Sequence, residues 1–307
     1  MLCLIYNFIL RIKPIWITPV KTFMQVTKPY RLIAILGVLI LGAFFIYRYS
    51  NQVIKLDPVH IDAIEFADVI SINDSLVPPI VYKSIPDLKK LTIPQRKKAF
   101  VDIVLPSILL VQERIDTDRN RIEDILNMEE LNPHDTSFVV AMMKTYKVKT
   151  IEELPEHMIT PPVAIILAQA ALESGWGTSR FFLEGNNIFG MWSYSTSHER
   201  LAAGEKRGER QIYVRKFPDI YVSVLNYYQT LGRLRAYANF RKAMETESDP
   251  IILVAYLNKY SERGAAYTNT VATLIRQNDM QKYENYRLLP EWAMEYDIVY
   301  NTYVLND

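Results

Sequence analysis

The chain has 307 residues, of which 50% are hydrophobic and 22% are charged. This composition excludes a disordered chain and is typical of a folded, largely helical protein with room for one sizeable domain. The net charge of +1 is uneven, because the chain up to Lys55 contains seven basic and no acidic residues, which leaves 28 basic against 34 acidic residues. The mildly acidic remainder argues against bulk nucleic-acid binding.

An apolar run near the N-terminus predicts a transmembrane helix over 32–47. Its sixteen residues lie between Arg31 and Arg48 and include no acid or amide. At about 1.5 Å per residue they span roughly 24 Å, slightly less than a typical hydrocarbon layer. Basic residues in 1–31 favour a cytoplasmic N-terminus, and the lack of small residues at a cleavage position favours an uncleaved signal anchor over a removed signal peptide.

The first 23 residues contain few other signals. A translation start at Met24 would be conventional for a signal anchor and would make 1–23 a misassigned leader. Cys3, the single cysteine, lies in this leader, so the exported part has no disulfide and no cysteine nucleophile. The histidines have no metal-ligand spacing, and we expect no metal or other cofactor: His60, His134, His157 and His198.

After the anchor, the pattern predicts a stalk over 48–85 and then a mainly helical α+β domain. Helices are predicted at 96–127, 135–146, 151–158, 219–234, 250–258 and 265–277, with a small β-hairpin at 206–216. A central helix begins at Thr160-Pro161-Pro162, an N-cap followed by a first-turn proline, and ends at Gly175. It is apolar nearly all round, which predicts a buried helix.

Glu173 is the only acidic residue of this central helix. Burial and the negative end of the helix dipole both disfavour an ionised carboxyl, so we expect a raised pKa. A carboxylic acid that keeps its proton can protonate a leaving glycosidic oxygen. The alternative is a helix-end glutamate that reaches solvent and has no chemical role.

The segments around Glu173 resemble a known family. Glu-Ser-Gly-Trp-Gly at 173–177, followed by Asn-Asn-Ile-Phe-Gly-Met at 186–191, is similar to the E-S-G-W-G and N-N-L-F-G motifs of the glucosaminidase family of the lysozyme superfamily, the mannosyl-glycoprotein endo-β-N-acetylglucosaminidase-like domains. Further similar segments lie in order at 213–217, 223–228 and 257–267, and those at 94–100 and 147–149 resemble the Bax-like subgroup. The resemblance spans roughly residues 85–288.

This resemblance implies a lysozyme-like α+β catalytic domain at 86–288, with 289–307 as a C-terminal tail. It also implies a peptidoglycan hydrolase, an endo-β-N-acetylglucosaminidase with Glu173 as the proton donor. A single-pass protein of the bacterial inner membrane, with this domain in the periplasm or cell envelope, would place the enzyme at that substrate. The alternative is a catalytically inactive glycan-binding or scaffold module at the envelope.

The resemblance places a second carboxylate in the hairpin region 193–211. Glu209 is the first choice, Glu205 the second, and Glu199 lies in the same stretch; alternatively all three are solvated charges. A close second carboxylate would act as nucleophile and a distant one as base for a water, whereas an N-acetyl carbonyl oxygen on the substrate would make either optional. The mechanism is therefore retaining, inverting or substrate-assisted.

Aromatic side chains with polar edges suit the apolar faces and hydroxyls of a glycan. Residues in or beside the matched motifs are therefore candidates for substrate binding: Trp176, Asn187, Phe189, Trp192, Tyr260 and Tyr267. For the aromatic members, the alternative is core packing. The amide of Asn187 has a second interpretation, which is to fix the local backbone. The sequence predicts no particular protein partner.

Overall fold

The computed structural model describes residues 36–38, 41–42, 58–207 and 210–289, with the backbone alone at 205–207 and 210. The chain divides after Val53 into two units. Residues 36–38 and 41–42 are helical, and the rest of the transmembrane helix predicted over 32–47 lies outside the described residues. No helix of the described part combines the length and the apolar character that crossing a bilayer requires.

Helices make up most of the described part of the second unit. The α-helices are α1 (Ile93–Leu126), α2 (Pro133–Tyr146), α3 (Leu154–His157), α4 (Val163–Ser174), α5 (Arg180–Gly185), α6 (Ile220–Arg233), α7 (Ala238–Ala243), α8 (Pro250–Leu253) and α9 (Ala265–Gln277). Short 3-10 helices lie at Phe66–Asp68, Leu88–Lys90, Ile151–Glu153, Arg235–Tyr237, Val254–Leu257 and Met280–Asn285. The predicted helices are present; the one predicted at 250–258 divides into α8 and a 3-10 turn.

Helix α1 is the longest element and passes through the core. Its N-terminus is a capping box, in which the backbone N–H of Thr92 donates to Oε1 of Gln95 at 3.2 Å. Every residue from Phe100 to Val111 is buried. Helix α1 packs against α4 and α6, and it therefore supports the helix that carries Glu173.

Helix α4 is the buried central helix that the sequence predicts. Ten of its twelve residues are buried, and it packs against α1, α9 and the 3-10 helix Met280–Asn285. It begins at Val163 with Pro162 as N-cap, so the predicted start at Thr160 is wrong by two residues, while the predicted end is confirmed by Gly175 in the left-handed conformation. The Glu284 carboxylate accepts hydrogen bonds from the first two N–H groups of the helix.

Three two-stranded sheets complete the described fold. Strand β1 (Val59–Asp62) pairs in parallel with β3 (Ile80–Ser84), and β2 (Leu76–Val77) pairs in parallel with β6 (Arg287–Leu288). Strand β4 (Arg200–Arg207) pairs antiparallel with β5 (Arg210–Arg215), so the predicted hairpin begins earlier than residue 206. The architecture is a mainly helical α+β fold, as predicted.

Residues 58–85 differ from the stalk that the sequence predicts. Val77, Val81 and Tyr82 have no exposed surface, and the Tyr82 hydroxyl accepts a hydrogen bond from the Ile70 N–H. Strand β2 pairs with β6, although most of the domain's sequence separates the two strands. The segment packs onto the helical domain because its apolar side chains are covered by distant elements, which local sequence patterns do not reveal.

Candidate active site

The turn after α4 contains three consecutive residues with positive φ angles, which are 58° at Gly175, 55° at Trp176 and 78° at Gly177. Such angles are uncommon for a residue with a side chain. The Ser174 hydroxyl supports the turn because it donates to the Ala170 carbonyl at 2.6 Å and accepts from the Gly177 N–H at 3.0 Å. The chain therefore leaves the helix directly after Glu173 and Ser174.

Gly177 is also required by packing. A Cβ atom there would lie 2.6 Å from Cδ1 of Leu88 and 3.1 Å from the rings of Phe100 and Phe182. These contacts bring the turn onto α1 and α5. The last glycine of Glu-Ser-Gly-Trp-Gly thus holds the end of α4 against the rest of the domain.

Glu173 is half-buried at the C-terminal end of α4. Burial raises the pKa of its carboxyl, while a hydrogen bond from the Tyr267 hydroxyl and the positive charge of Arg263 oppose that rise. The negative end of the helix dipole also favours the neutral acid. The predicted direction of the pKa shift is confirmed, and the residue is suited to hold a proton for transfer.

A cluster of aromatic rings lies beside Glu173. Phe189 stacks on Tyr227 at 4.1 Å, Tyr227 meets Tyr260 edge to face at 5.7 Å, and Tyr260 stacks on Tyr267 at 5.2 Å. The charge of Glu173 contributes to raising the pKa of both Tyr260 and Tyr267, after the larger effect of burial. The structure therefore brings together Glu173, Tyr260 and Tyr267, three of the predicted site residues.

A buried amide joins two of these tyrosines. The Tyr227 hydroxyl donates to Oε1 of Gln169 at 2.8 Å, and Nε2 of Gln169 donates to the Tyr267 hydroxyl oxygen at 3.1 Å. Gln169 has no exposed surface and lies one helical turn before Glu173. The carboxyl is thus connected through Tyr267 to polar groups inside the core.

The side chains of two predicted substrate-binding residues contact other residues of the protein. Trp176 packs edge to face on Phe100 at 5.7 Å, with Nζ of Lys97 4.9 Å from the centre of its ring. The Asn187 amide donates to the carbonyls of Met191 and Arg215 and accepts from the Met191 N–H. Asn187 therefore holds the turn after α5, as its second interpretation predicts.

The other predicted aromatic residues divide between core and surface. Phe189 is buried under Tyr227, and its carbonyl accepts a hydrogen bond from the Tyr260 hydroxyl at 2.9 Å. Trp192 is 43% exposed and bridges to Val214 of β5. Its ring centre lies 6.1 Å from that of Tyr194, which is 87% exposed. Trp192 and Tyr194 thus present open aromatic surface beside the hairpin.

The hairpin carboxylates are only partly described. The Glu199 carboxylate is exposed and lies 3.5 Å from Nζ of Lys216, which fits a solvated surface charge. Glu205 lies in β4, where only its backbone is described. The Glu205 side chain and the whole of Glu209 lie outside the described residues. In the described part of the chain, no group of three or more histidine, cysteine or acidic residues is placed to hold a metal ion.

Three residues near Glu173 were not predicted as site residues: Gln169, Tyr227 and Arg263. Gln169 has a sequence signal, because side chains four residues apart share a helix face and Gln169 precedes Glu173 by that spacing. Tyr227 and Arg263 lie in matched segments, but their approach to Glu173 is a tertiary contact. No local pattern distinguishes them from their neighbours.

Comparison with known proteins gives a match to a family model and to a curated protein. Residues 148–280 match the family described as mannosyl-glycoprotein endo-beta-N-acetylglucosaminidase. The chain is 29% identical over 210 residues to Protein bax from Escherichia coli (strain K12), which covers 64% of this chain and 74% of the relative. The matched region includes Glu173 and the aromatic cluster.

Solved structures give weaker similarity. The catalytic domain of the autolysin Auto from Listeria monocytogenes matches 54% of this chain and 96% of its own, at 19% identity and a TM-score of 0.35. The glycoside hydrolase domain of FlgJ from Salmonella typhimurium matches 47% of this chain and 83% of its own, at 23% identity and a TM-score of 0.31.

Proposed function

We propose that this chain is a peptidoglycan hydrolase of the endo-β-N-acetylglucosaminidase type, with Glu173 as general acid; the match of residues 148–280 to the glucosaminidase family supports this. The observation that carries the proposal is the half-buried Glu173 carboxyl at the end of α4, next to two tyrosines. A glycan strand with N-acetylglucosamine units would lie along the surface beside this carboxyl.

The chemistry follows from the state of the carboxyl. Because burial raises the pKa of Glu173, the group keeps its proton at a pH where an ordinary glutamate has lost it. When the glycan is bound, the protonated Glu173 carboxyl donates its proton to the oxygen of the scissile glycosidic bond. This proton makes the departing sugar a better leaving group. Tyr267 holds one carboxyl oxygen during this step.

The second role in the reaction has three candidates. Glu205 belongs to β4, and Glu209 follows it in the sequence; either would serve as nucleophile or as base according to its distance from Glu173. The carbonyl oxygen of an N-acetyl group on the substrate is the third. Glu199, in the same stretch of sequence, is not among them because it is exposed and paired with Lys216.

Substrate binding is proposed to use exposed aromatic surface. Trp192 and Tyr194 offer rings for the apolar faces of sugars, and Tyr260 and Tyr267 line the region next to the acid. Asn187 and Phe189 contribute indirectly, because the Asn187 amide holds the turn before Trp192 and the Phe189 carbonyl accepts a hydrogen bond from Tyr260. Trp176 packs on Phe100.

We also propose that residues 32–47 anchor the protein in the bacterial inner membrane, with 1–31 in the cytoplasm and the domain in the periplasm or cell envelope. The support is the uninterrupted apolar run and the basic residues before it. Protease protection in spheroplasts tests this topology. Digestion of the domain from outside the cell supports it, and a fully protected domain contradicts it.

The test of the reaction compares wild type with Glu173→Gln on purified sacculi. We expect wild type to release reducing ends with N-acetylglucosamine at the new terminus, identified by mass spectrometry, and Glu173→Gln to lose this activity while it still binds sacculi. Glu184→Gln is a matched control, because Glu184 is an exposed carboxylate that forms an ion pair with Arg180.

Two outcomes contradict the proposal. Full activity in Glu173→Gln would remove Glu173 from the proton-donor role. Wild-type protein that binds sacculi and releases no reducing ends would instead support the alternative, an inactive glycan-binding or scaffold module at the envelope.

A further inference from the structure

Gln169 is a polar side chain with no exposed surface in a helix whose other buried side chains are apolar, apart from Ser174 at its end. A buried amide is costly unless its donor and acceptor atoms have partners. Both ends of the Gln169 amide have one, and both partners are tyrosine hydroxyls. The group is thus held in one orientation.

The direction of these hydrogen bonds follows from the chemistry of the amide. The amide oxygen can only accept, so Tyr227 donates its proton to Oε1 of Gln169. The amide nitrogen can only donate, so the Tyr267 oxygen accepts from Nε2. The Tyr267 proton then remains available for the neighbouring Glu173 carboxyl, whose pKa the Tyr267 hydroxyl lowers.

The tyrosine rings have little freedom to change this arrangement. Tyr227 is stacked on Phe189 and Tyr267 on Tyr260, and both Tyr227 and Tyr267 are buried. The Tyr260 hydroxyl donates its proton to the Phe189 carbonyl and therefore does not donate it to Glu173. The remaining freedom is rotation of the Tyr267 O–H bond, and the Gln169 amide restricts it.

From this geometry we propose that Gln169 and Tyr227 are positioning residues: they direct the Tyr267 proton to one oxygen of Glu173, so that the acid's own proton is held on the other oxygen. The proposal rests on the proposed function of Glu173 as general acid. The carboxyl oxygen that Tyr267 occupies as a donor is a poor site for a second proton. The transferable proton is therefore kept on the oxygen that is free to meet the substrate.

Burial keeps the donor and acceptor roles in this chain of hydrogen bonds fixed. It raises the pKa of Tyr227 well above that of an ordinary tyrosine, so this hydroxyl stays protonated and remains a donor. The pKa of Tyr267 is raised by burial and by the Glu173 charge. Neither tyrosine loses its proton in the range where the enzyme would work.

The most informative variant is Gln169→Glu. A protonated glutamate has one acceptor and one donor and reproduces the wild-type hydrogen bonds, whereas an ionised one only accepts and draws the Tyr267 proton away from Glu173. We expect near wild-type activity at acid pH and a loss of about 10-fold as the new carboxyl ionises. Tyr227→Phe removes one oxygen and is expected to lower turnover about 5-fold with little change in KM.

The control is Tyr228→Phe, on the same helix and equally buried but outside this chain of hydrogen bonds. A second measurement does not need turnover: a carbon-13 NMR titration of the Glu173 carboxyl, assigned against Glu173→Gln. If Tyr267 donates to Glu173, Gln169→Leu and Tyr227→Phe shift that titration relative to Tyr228→Phe.

The outcomes separate this inference from the proposed function. Unchanged pH profiles and an unchanged Glu173 titration in Gln169→Glu, Gln169→Leu and Tyr227→Phe overturn the positioning role even when Glu173→Gln is inactive. An inactive wild type overturns the function, while a shifted Glu173 titration in these variants would still show the directed hydrogen bond.

Discussion

Glu284 caps the helix that carries Glu173: its Oε1 accepts a hydrogen bond from the Ala164 N–H at 2.8 Å, and its Oε2 accepts one from Val163 at 3.0 Å. The first N–H groups of a helix have no partner within it, and a carboxylate there also interacts favourably with the positive end of the helix dipole. The segment Met280–Asn285 is thereby attached to the start of α4, at the end opposite Glu173.

Glu284→Ala should therefore weaken the domain. We expect the free energy of unfolding to fall by about 1–2 kcal/mol, the range for loss of a helix cap. Equilibrium urea unfolding measures it, with Glu245→Ala as control because Glu245 is exposed. Equal midpoints for the two variants would show that Glu284 does not stabilise α4.

Gly177→Ala should be more damaging than Gly190→Ala. Both positions have positive φ angles, 78° and 63°, but only at Gly177 would the added Cβ collide, 2.6 Å from Cδ1 of Leu88. We expect about 1 kcal/mol of destabilisation at Gly190 from backbone strain alone, and about 2–4 kcal/mol at Gly177 from strain and overpacking. Thermal unfolding of both variants tests the difference, and similar losses would contradict the packing role.

Glu173→Gln should be more stable than wild type at neutral pH. Burial raises the folded-state pKa of Glu173 above its ordinary value, so between the two values the folded state binds more protons than the unfolded state. Stability from this group is then present at acid pH and falls as pH rises through that window. The neutral amide avoids the loss, which is the cost of keeping an acid in a half-buried site.

Melting temperatures of wild type and Glu173→Gln measured against pH test this. The stability advantage of the variant should appear as pH rises and vanish below the ordinary glutamate range. The exposed control Glu184→Gln should change stability by no more than about 0.5 kcal/mol at either end. Parallel curves for wild type and Glu173→Gln would mean that the folded pKa is not raised.

Asp102→Ala should release the segment that precedes α1. Asp102 is 4% exposed, forms an ion pair with Lys98 at 2.6 Å, and accepts from the Ile72 N–H at 3.1 Å. Because Lys98 is exposed, the main loss is the buried acceptor of the Ile72 N–H, which should destabilise the domain by about 1–3 kcal/mol and expose residues 58–72 to proteolysis. Glu184→Ala, which breaks an exposed pair, should cost about 0.5 kcal/mol or less. Equal proteolysis rates would support the stalk that the sequence predicts.

Much of the local structure around Glu173 could be read from the sequence. The apolar run predicts a buried helix, Gly175 predicts its end, and the position of Glu173 predicts a raised pKa; the structure confirms all three. These are short-range properties, because helical periodicity and the φ angles open to glycine depend on adjacent residues.

Other parts could not be predicted because they depend on contacts between distant residues. The packing of residues 58–85 requires β6, and the cap of α4 comes from a residue about 120 positions away. Trp176 and Asn187 matched the pattern of binding residues, yet their side chains contact Phe100 and the backbone of Met191. A motif identifies such residues without showing which way they face.

The sequence by itself determined the buried helix that carries Glu173 and its end at Gly175, and it predicted Glu173 as the acid, since each depends on residue types in a short, ordered pattern. Only the tertiary structure decided how the acid is held. Gln169, Tyr227 and Tyr267 come from three helices, and a directed chain of hydrogen bonds exists only when all three are packed together. Proton direction is a property of that packing, because each hydroxyl takes the orientation that its neighbours leave open.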